Sequence, residues 1–203
     1  LLVGVGGLGS PIATYLVGAG IGRIGIIDDD VVDITNLHRQ VLYTEKEAGL
    51  PKVECAKRRL QALNSEVEID AYPYRLTKEN AHELISSYDI VVDGMDNFMT
   101  RYIVSDECKL QGKPYVYGAI RGLDGQVAVL CKGHTTYRSL LPDEEATLSM
   151  PHPGKAVLGT TPAVVGSVEA CQVLMLAAEF GEPLIDKLWT VDLSTMMSYV
   201  IEM

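Results

Sequence analysis

Gly4, Gly6 and Gly9 form a G-x-G-x-x-G run within Gly4-Val5-Gly6-Gly7-Leu8-Gly9. Between a strand and a helix, such glycines permit a tight turn and close backbone approach. The helix N-terminus then offers free N–H groups and a positive dipole to a phosphate. Asp28 lies 19 residues beyond Gly9, where a carboxylate at a strand end can accept from ribose hydroxyls. Arg39, in Asn36-Leu37-His38-Arg39-Gln40, is followed 13 residues later by Lys52. A dinucleotide pyrophosphate is satisfied largely by backbone N–H groups, whereas a triphosphate has more charge to neutralise and suits a guanidinium plus an ammonium. Taken singly, either cation is as readily a solvated surface residue. Asp93-Gly94-Met95-Asp96-Asn97 adds carboxylates able to hold Mg²⁺ beside phosphate oxygens. Asp96 or Asn97 can equally cap the helix that follows; both roles coexist if Asn97 caps and Asp96 ligates.

These residues need strand ends to hold them, and the chain supplies short β-branched runs alternating with amphipathic stretches, the pattern of an α/β fold. Strands are predicted up to Val5, at Arg23–Ile27, Val67–Ala71, Ile90–Val92, Tyr115–Tyr117 and Gly125–Leu130. Helices are predicted over Leu8–Ala19, from Pro51 to Leu63, from a Thr77 cap to Ser87, over Asn97–Gln111, and from Pro162 to near Gly181. The last of these has little polar face beyond Glu169 and Gln172, so it is expected in the core or at a subunit interface. Leu188–Val191 and Ser198–Ile201 read as a closing hairpin, and Lys132–Thr161 as a long loop. The expected architecture is a Rossmann-like, doubly wound α/β fold whose mostly parallel sheet carries an antiparallel C-terminal extension. With neither a repeat nor a linker, residues 1–203 are expected to form a single domain. In such a sheet ligands bind outside the carboxyl ends of the strands, which gathers Gly4–Gly9, Asp28 and Asp96 at one edge.

Composition narrows the function classes. The 203 residues are 47% hydrophobic and 22% charged, which excludes disordered and collagen-like chains. A net charge of −10 and a pI of about 4.8 argue against a generic nucleic-acid or anionic-membrane binder. Ala156–Val168, an apolar stretch free of charged residues, is broken by Gly159 and Pro162 and is too short to span a bilayer. Cys55, Cys108, Cys131 and Cys171 form no C-x-x-C pair, so free thiols in a reducing, cytoplasmic compartment are expected. The chain opens without Met, already inside a strand, so a preceding N-terminal segment is expected.

Gly4–Gly9, Asp28-Asp29-Asp30, Asn36–Gln40, Pro51-Lys52-Val53-Glu54, Asp93-x-x-Asp96-Asn97 and Gly122-x-x-Gly125-Gln126 occur in one order and spacing. In this the chain resembles the ThiF/MoeB/HesA family, bacterial relatives of ubiquitin-activating enzymes, with a slight leaning to the ThiF-like branch. The resemblance implies ATP- and Mg²⁺-dependent adenylylation of the C-terminal Gly-Gly carboxylate of a small ubiquitin-fold sulfur carrier, in thiamine or molybdopterin biosynthesis. It implies that Gly4, Gly6, Gly7 and Gly9 back the nucleotide and that Asp28 takes the ribose. Asn36, Arg39 and Lys52 would bind phosphates, with Asp30 and Gln40 also at the nucleotide, Asp96 on Mg²⁺ and Asn97 beside it. Arg39, Lys52 and Asp96 would be the catalytic set, in a homodimer. No general base is needed, because a carboxylate is already ionised at neutral pH.

Three departures stand out. Thr136-Tyr137-Arg138-Ser139 occupies the place of the first zinc-binding C-x-x-C of some members, and no second pair precedes Met203. Hydroxyls are poor Zn²⁺ ligands beside thiolates, so zinc is not expected. The crossover-loop cysteine of many members corresponds to His152, whose flanking prolines favour a plain loop over a nucleophile. In the family, the segment expected to precede Leu1 lends an arginine to the partner's nucleotide site. A rival NAD-dependent oxidoreductase would leave Arg39, Lys52, Asp96 and Asn97 without a task. A non-catalytic nucleotide-binding relative would be expected to have lost them.

Overall fold

A computed structural model describes residues 1–150 and 157–203; the expectation about His152 falls outside them. Strands β1 (Leu2–Val3), β2 (Arg23–Ile27), β3 (Glu68–Tyr72), β4 (Val91–Asp93), β5 (Tyr115–Arg121), β6 (Asp124–Leu130), β7 (Lys187–Asp192) and β8 (Met197–Glu202) form one sheet among the described residues. Their order is β3-β2-β1-β4-β5-β6-β7-β8. Pairing is parallel from β3 to β5, with Leu2 opposite Ile26 on one side and Val92 on the other. From β5 to β8 it is antiparallel. The expected doubly wound sheet with an antiparallel extension is what the chain forms.

Alternation along the strands sorts the core into two faces, because successive side chains point to opposite sides. Leu2, Ile26, Val92 and Val116 pack with helices α1 (Gly9–Gly18) and α2 (Lys52–Leu63). Val3, Ile27, Val91 and Tyr115 pack with α3 (Lys78–Ser86) and α4 (Phe98–Gln111). Both faces are covered at the centre of the sheet, which is why β1 and β4 carry the apolar pairs Leu2-Val3 and Val91-Val92, all buried. β1 lies between β2 and β4, so the chain winds outward in both directions from it. The β1/β4 boundary is therefore the switch point where a crevice opens.

Two expectations need correction. The segment read as loop from Lys132 contains α5 (Tyr137–Leu140) and α6 (Glu144–Ser149). These are short helices started by local caps, such as Asp143 Oδ1 accepting from Ala146 N at 2.9 Å, and they carry no periodic signal. Helix α7 begins at Thr160, with Pro162 in its first turn, and ends at Ala178. Its length and apolar composition alone would suit a membrane span, yet it packs on α1, β5 and β6. Glu169 and Gln172, which read as its only polar face, are buried, while Ala163, Val164 and Cys171 are exposed. Gln172 is satisfied there, its Oε1 accepting from Leu184 N at 2.8 Å.

Candidate nucleotide and phosphate site

The turn after β1 and the turn after β4 touch through their backbones. Gly4 has φ +91°, and a Cβ on Gly9 would stand 2.2 Å from its carbonyl oxygen. A Cβ on Gly94 would stand 2.1 Å from the same oxygen. Only glycines allow this approach, and it brings the Gly-rich loop and the Asp96 loop to one crevice. Tyr43 Oη donates to Val5 O at 2.7 Å and anchors the loop from below.

The crevice has a volume of about 370 Å³. Its lining includes Gly4, Gly6, Gly7, Asp28, Asp30, Asn36, Arg39, Gln40, Lys52, Asp96 and Asn97. Of the predicted set only Gly9 lies outside the lining; it works as the close-packed start of α1. Strand ends deliver Asp28 (β2), the glycines (β1) and Asp96 and Asn97 (β4), while Asn36, Arg39, Gln40 and Lys52 come from the segment between β2 and the start of α2.

Asp28 is held rigidly, its two oxygens accepting from Val5 N and Asp30 N, each at 2.9 Å. Burial pushes its pKa up, while the Lys52 ammonium opposes the shift. The buried Lys52 donates from Nζ to Asp30 Oδ2 at 2.8 Å. Arg39 is aimed by Asn36, whose Oδ1 accepts from Nη2 at 2.7 Å. His38 Nδ1 lies 3.0 Å from the Thr35 carbonyl, so the proton sits on Nδ1 and Nε2 accepts from Arg39 Nη1 at 3.2 Å. Nothing in the sequence pattern signals this role for His38. Gln40 is buried beside Gly6, and its Oε1 has no partner among the described residues.

Of the two candidate roles after β4, the structure shows the helix cap and gives it to Asn97. Asn97 caps α4, its Oδ1 accepting from Thr100 N at 2.9 Å. Asp96 is exposed in the crevice and makes no ion pair or hydrogen bond among the described residues. Asp93 is consumed structurally: Arg101 Nε donates to it at 2.8 Å and Tyr115 Oη at 2.6 Å. Arg101 also donates to the carbonyls of Met95 and Gly118, at 2.9 and 3.1 Å. The crevice further takes Tyr74, Arg75, Leu76 and Arg121, none of them signalled by a motif. Thr136 and Ser139, in place of a thiol pair, face each other at 3.2 Å between hydroxyl oxygens.

A sequence model of the ThiF family matches residues 1–203. The chain is 49% identical to the sulfur carrier protein adenylyltransferase of Thermus thermophilus over 193 residues, 91% of this chain and 70% of that protein. It is 42% identical to the adenylyltransferase and sulfurtransferase MOCS3 of Arabidopsis thaliana over 203 residues, 98% of this chain but 44% of that protein. It is 38% identical to the SAMP-activating enzyme E1 of Haloferax volcanii, covering 97% of this chain and 73% of that protein. Escherichia coli MccB, solved with ATP, superposes with a TM-score of 0.84 at 26% identity, over 100% of this chain and 62% of MccB.

Proposed function

The chain belongs to the ThiF family, and on that premise we propose that it uses ATP to adenylylate the C-terminal carboxylate of a small ubiquitin-like sulfur carrier. The observation that carries this reading is the crevice at the β1/β4 switch point. There Asp28, the cations Arg39 and Lys52, and an Asp96 with no partner among the described residues converge on one space. In the reaction one carboxylate oxygen forms a bond to the α-phosphorus while the bond to the bridging oxygen breaks, and pyrophosphate leaves with that electron pair. No proton moves. The difficulty is anion meeting anion, so the site must supply cations and hold both reactants in line.

Asp96 suits Mg²⁺: Asp29, Asp30 and Asp93 are already paired with Arg75, Lys52 and Arg101, whereas Asp96 has no such partner among the described residues. Bound there with phosphate oxygens, the metal would neutralise charge at the phosphates. Arg39, aimed by Asn36 and His38, and Lys52, steadied by Asp30, bind the departing pyrophosphate, and Asp28 fixes the ribose. We further take residues 1–203 as one catalytic domain of a cytoplasmic homodimer that binds no zinc. Its carrier ends in Gly-Gly and serves thiamine or molybdopterin biosynthesis, the former preferred. The test is thermal melting with ATP–Mg²⁺ against NAD, followed by carrier-dependent ATP–pyrophosphate exchange. A ligand at 100 times its dissociation constant adds about 2.7 kcal/mol, so ATP should raise the melting temperature and NAD should not. A shift with NAD alone would refute the adenylyltransferase assignment.

A further inference from the structure

Nearly every cation facing the crevice is engaged. Lys52, Arg75 and Arg101 are paired with carboxylates, and Arg39 is bonded to Asn36 and His38. Arg121 is the exception: it lines the same crevice, is exposed, and has no ion-pair or hydrogen-bond partner for its side chain among the described residues. Its position is nonetheless fixed. It ends β5, one residue before the tight turn into β6, and Thr161 Oγ1 of α7 donates to the Gly122 carbonyl at 2.9 Å. Just ahead of α7, Gly159 packs on the His38 carbonyl, where a Cβ would stand 2.1 Å from the oxygen. The start of α7 therefore clamps the Arg121 hairpin to the segment carrying Arg39.

Sheet order decides which group Arg121 meets. Asp28 follows β2, the Gly-rich loop follows β1, Asp96 follows β4, and Arg121 ends β5. Strands are about 4.8 Å apart and rise about 3.3 Å per residue. The register sets Arg121 three residues beyond the level of Asp28, so its backbone lies roughly 14 Å across the sheet and roughly 10 Å further along the strand direction. A nucleoside held at Asp28 with phosphates over the Gly-rich loop places its α-phosphorus between β1 and β4. Arg39 and Lys52, both on the segment after β2, draw the leaving pyrophosphate toward the β2 side. Attack in line with departure must then come from the opposite side, which is the β5 side. We propose that Arg121 binds the C-terminal carboxylate of the incoming acyl substrate and holds it in line with the α-phosphorus. This rests on the adenylyltransferase assignment above. The guanidinium fork matches a carboxylate, and neutralising the attacking anion lowers its repulsion from the phosphates.

The test compares two ligands on the full-length protein saturated with an α,β-methylene ATP analogue and Mg²⁺. They are a ubiquitin-fold sulfur carrier ending in Gly-Gly, and the same carrier with its C-terminus converted to the carboxamide. The wild type should bind the acid form about tenfold more tightly, as expected for one charge-assisted pair. Arg121→Ala should bind both forms equally, Arg121→Lys should recover part of the preference, and analogue affinity should stay within about twofold. The inference is overturned if Arg121→Ala keeps the acid preference. It is equally overturned if analogue affinity falls about tenfold instead, which would give Arg121 to the phosphates. Absence of carrier-dependent pyrophosphate exchange in the wild type would remove the adenylyltransferase assignment first, and the inference with it. Exchange in the wild type with an unchanged acid preference in Arg121→Ala would remove the inference alone.

Discussion

Replacing Glu169 with glutamine should stabilise the protein by an amount that grows with pH. Glu169 is fully buried beneath β5, and neither carboxyl oxygen has a hydrogen-bond partner among the described residues. Burial pushes its pKa well above the ordinary value of 4.5; the nearby Asp93 pushes in the same direction, and Arg101 opposes it. The native state therefore keeps the proton while the unfolded chain ionises, so unfolding is favoured as pH rises above 4.5. While the native carboxyl keeps its proton, the penalty is fixed by the unfolded chain alone. It grows by about 1.4 kcal/mol for each pH unit above 4.5 over the range in which the native carboxyl keeps its proton. The neutral amide of the Glu169→Gln variant carries no such proton linkage. Urea unfolding of both proteins at pH 5, 6 and 7 should show the stability difference widening as pH rises, by up to a few kcal/mol over that range. A difference constant with pH would refute the argument. It would mean that Glu169 is ionised in the native state, or finds a partner that the buried pocket does not show.

Asp96→Ala should lower carrier-dependent pyrophosphate exchange by about two orders of magnitude, a loss of about 3 kcal/mol in the transition state, with the ligand-free melting temperature unchanged. His152→Ala should leave exchange near the wild-type rate, because the carrier's carboxylate needs no base; the reverse pattern would move the chemistry to the crossover loop. Gly9→Ala would drive a methyl group to 2.2 Å from the Gly4 carbonyl. We expect a loss of about 3 kcal/mol in urea unfolding, together with loss of the ATP-induced melting shift. Lys52→Met would remove the ammonium that holds down the pKa of Asp28. ATP affinity should fall at least about tenfold, and a titration against pH should find the acid-side loss of binding at higher pH than in the wild type.

The nucleotide edge is legible in the sequence because most of its residues sit within a few positions of a strand end, and strand ends announce themselves through apolar runs meeting glycine or aspartate. Gly4, Gly6, Asp28 and Asp96 meet in one crevice for that reason, joined by Asn36, Arg39 and Lys52 from the segment after β2. The pairing of Asp93 with Arg101 and Tyr115 is not legible. It joins β4, α4 and β5 across sequence separations of 8 and 22 residues, and no periodicity links them. Arg121 is hidden differently, since a charged residue before a hairpin turn looks like any solvated surface cation until the sheet order places β5 beside the strand that carries Asp96.

Helix α7 shows the limit most sharply. Its apolar run predicts burial, but not which of its faces turns inward. Here the polar positions face inward and several apolar ones face out. Glu169 fits beneath β5 only because Gly118 carries no side chain, as a Cβ there would stand 2.2 Å from the Glu169 carboxyl carbon. The same Gly118 offers its carbonyl to Arg101, the residue that ties Asp93 and Met95 behind the Asp96 loop. A glycine on one strand thus seats both a buried acid and the guanidinium that shapes the Asp96 wall of the crevice. The cue is the absence of an atom, which hydropathy patterns do not register. It becomes visible only when the residues facing Gly118 from α4 and α7 are known.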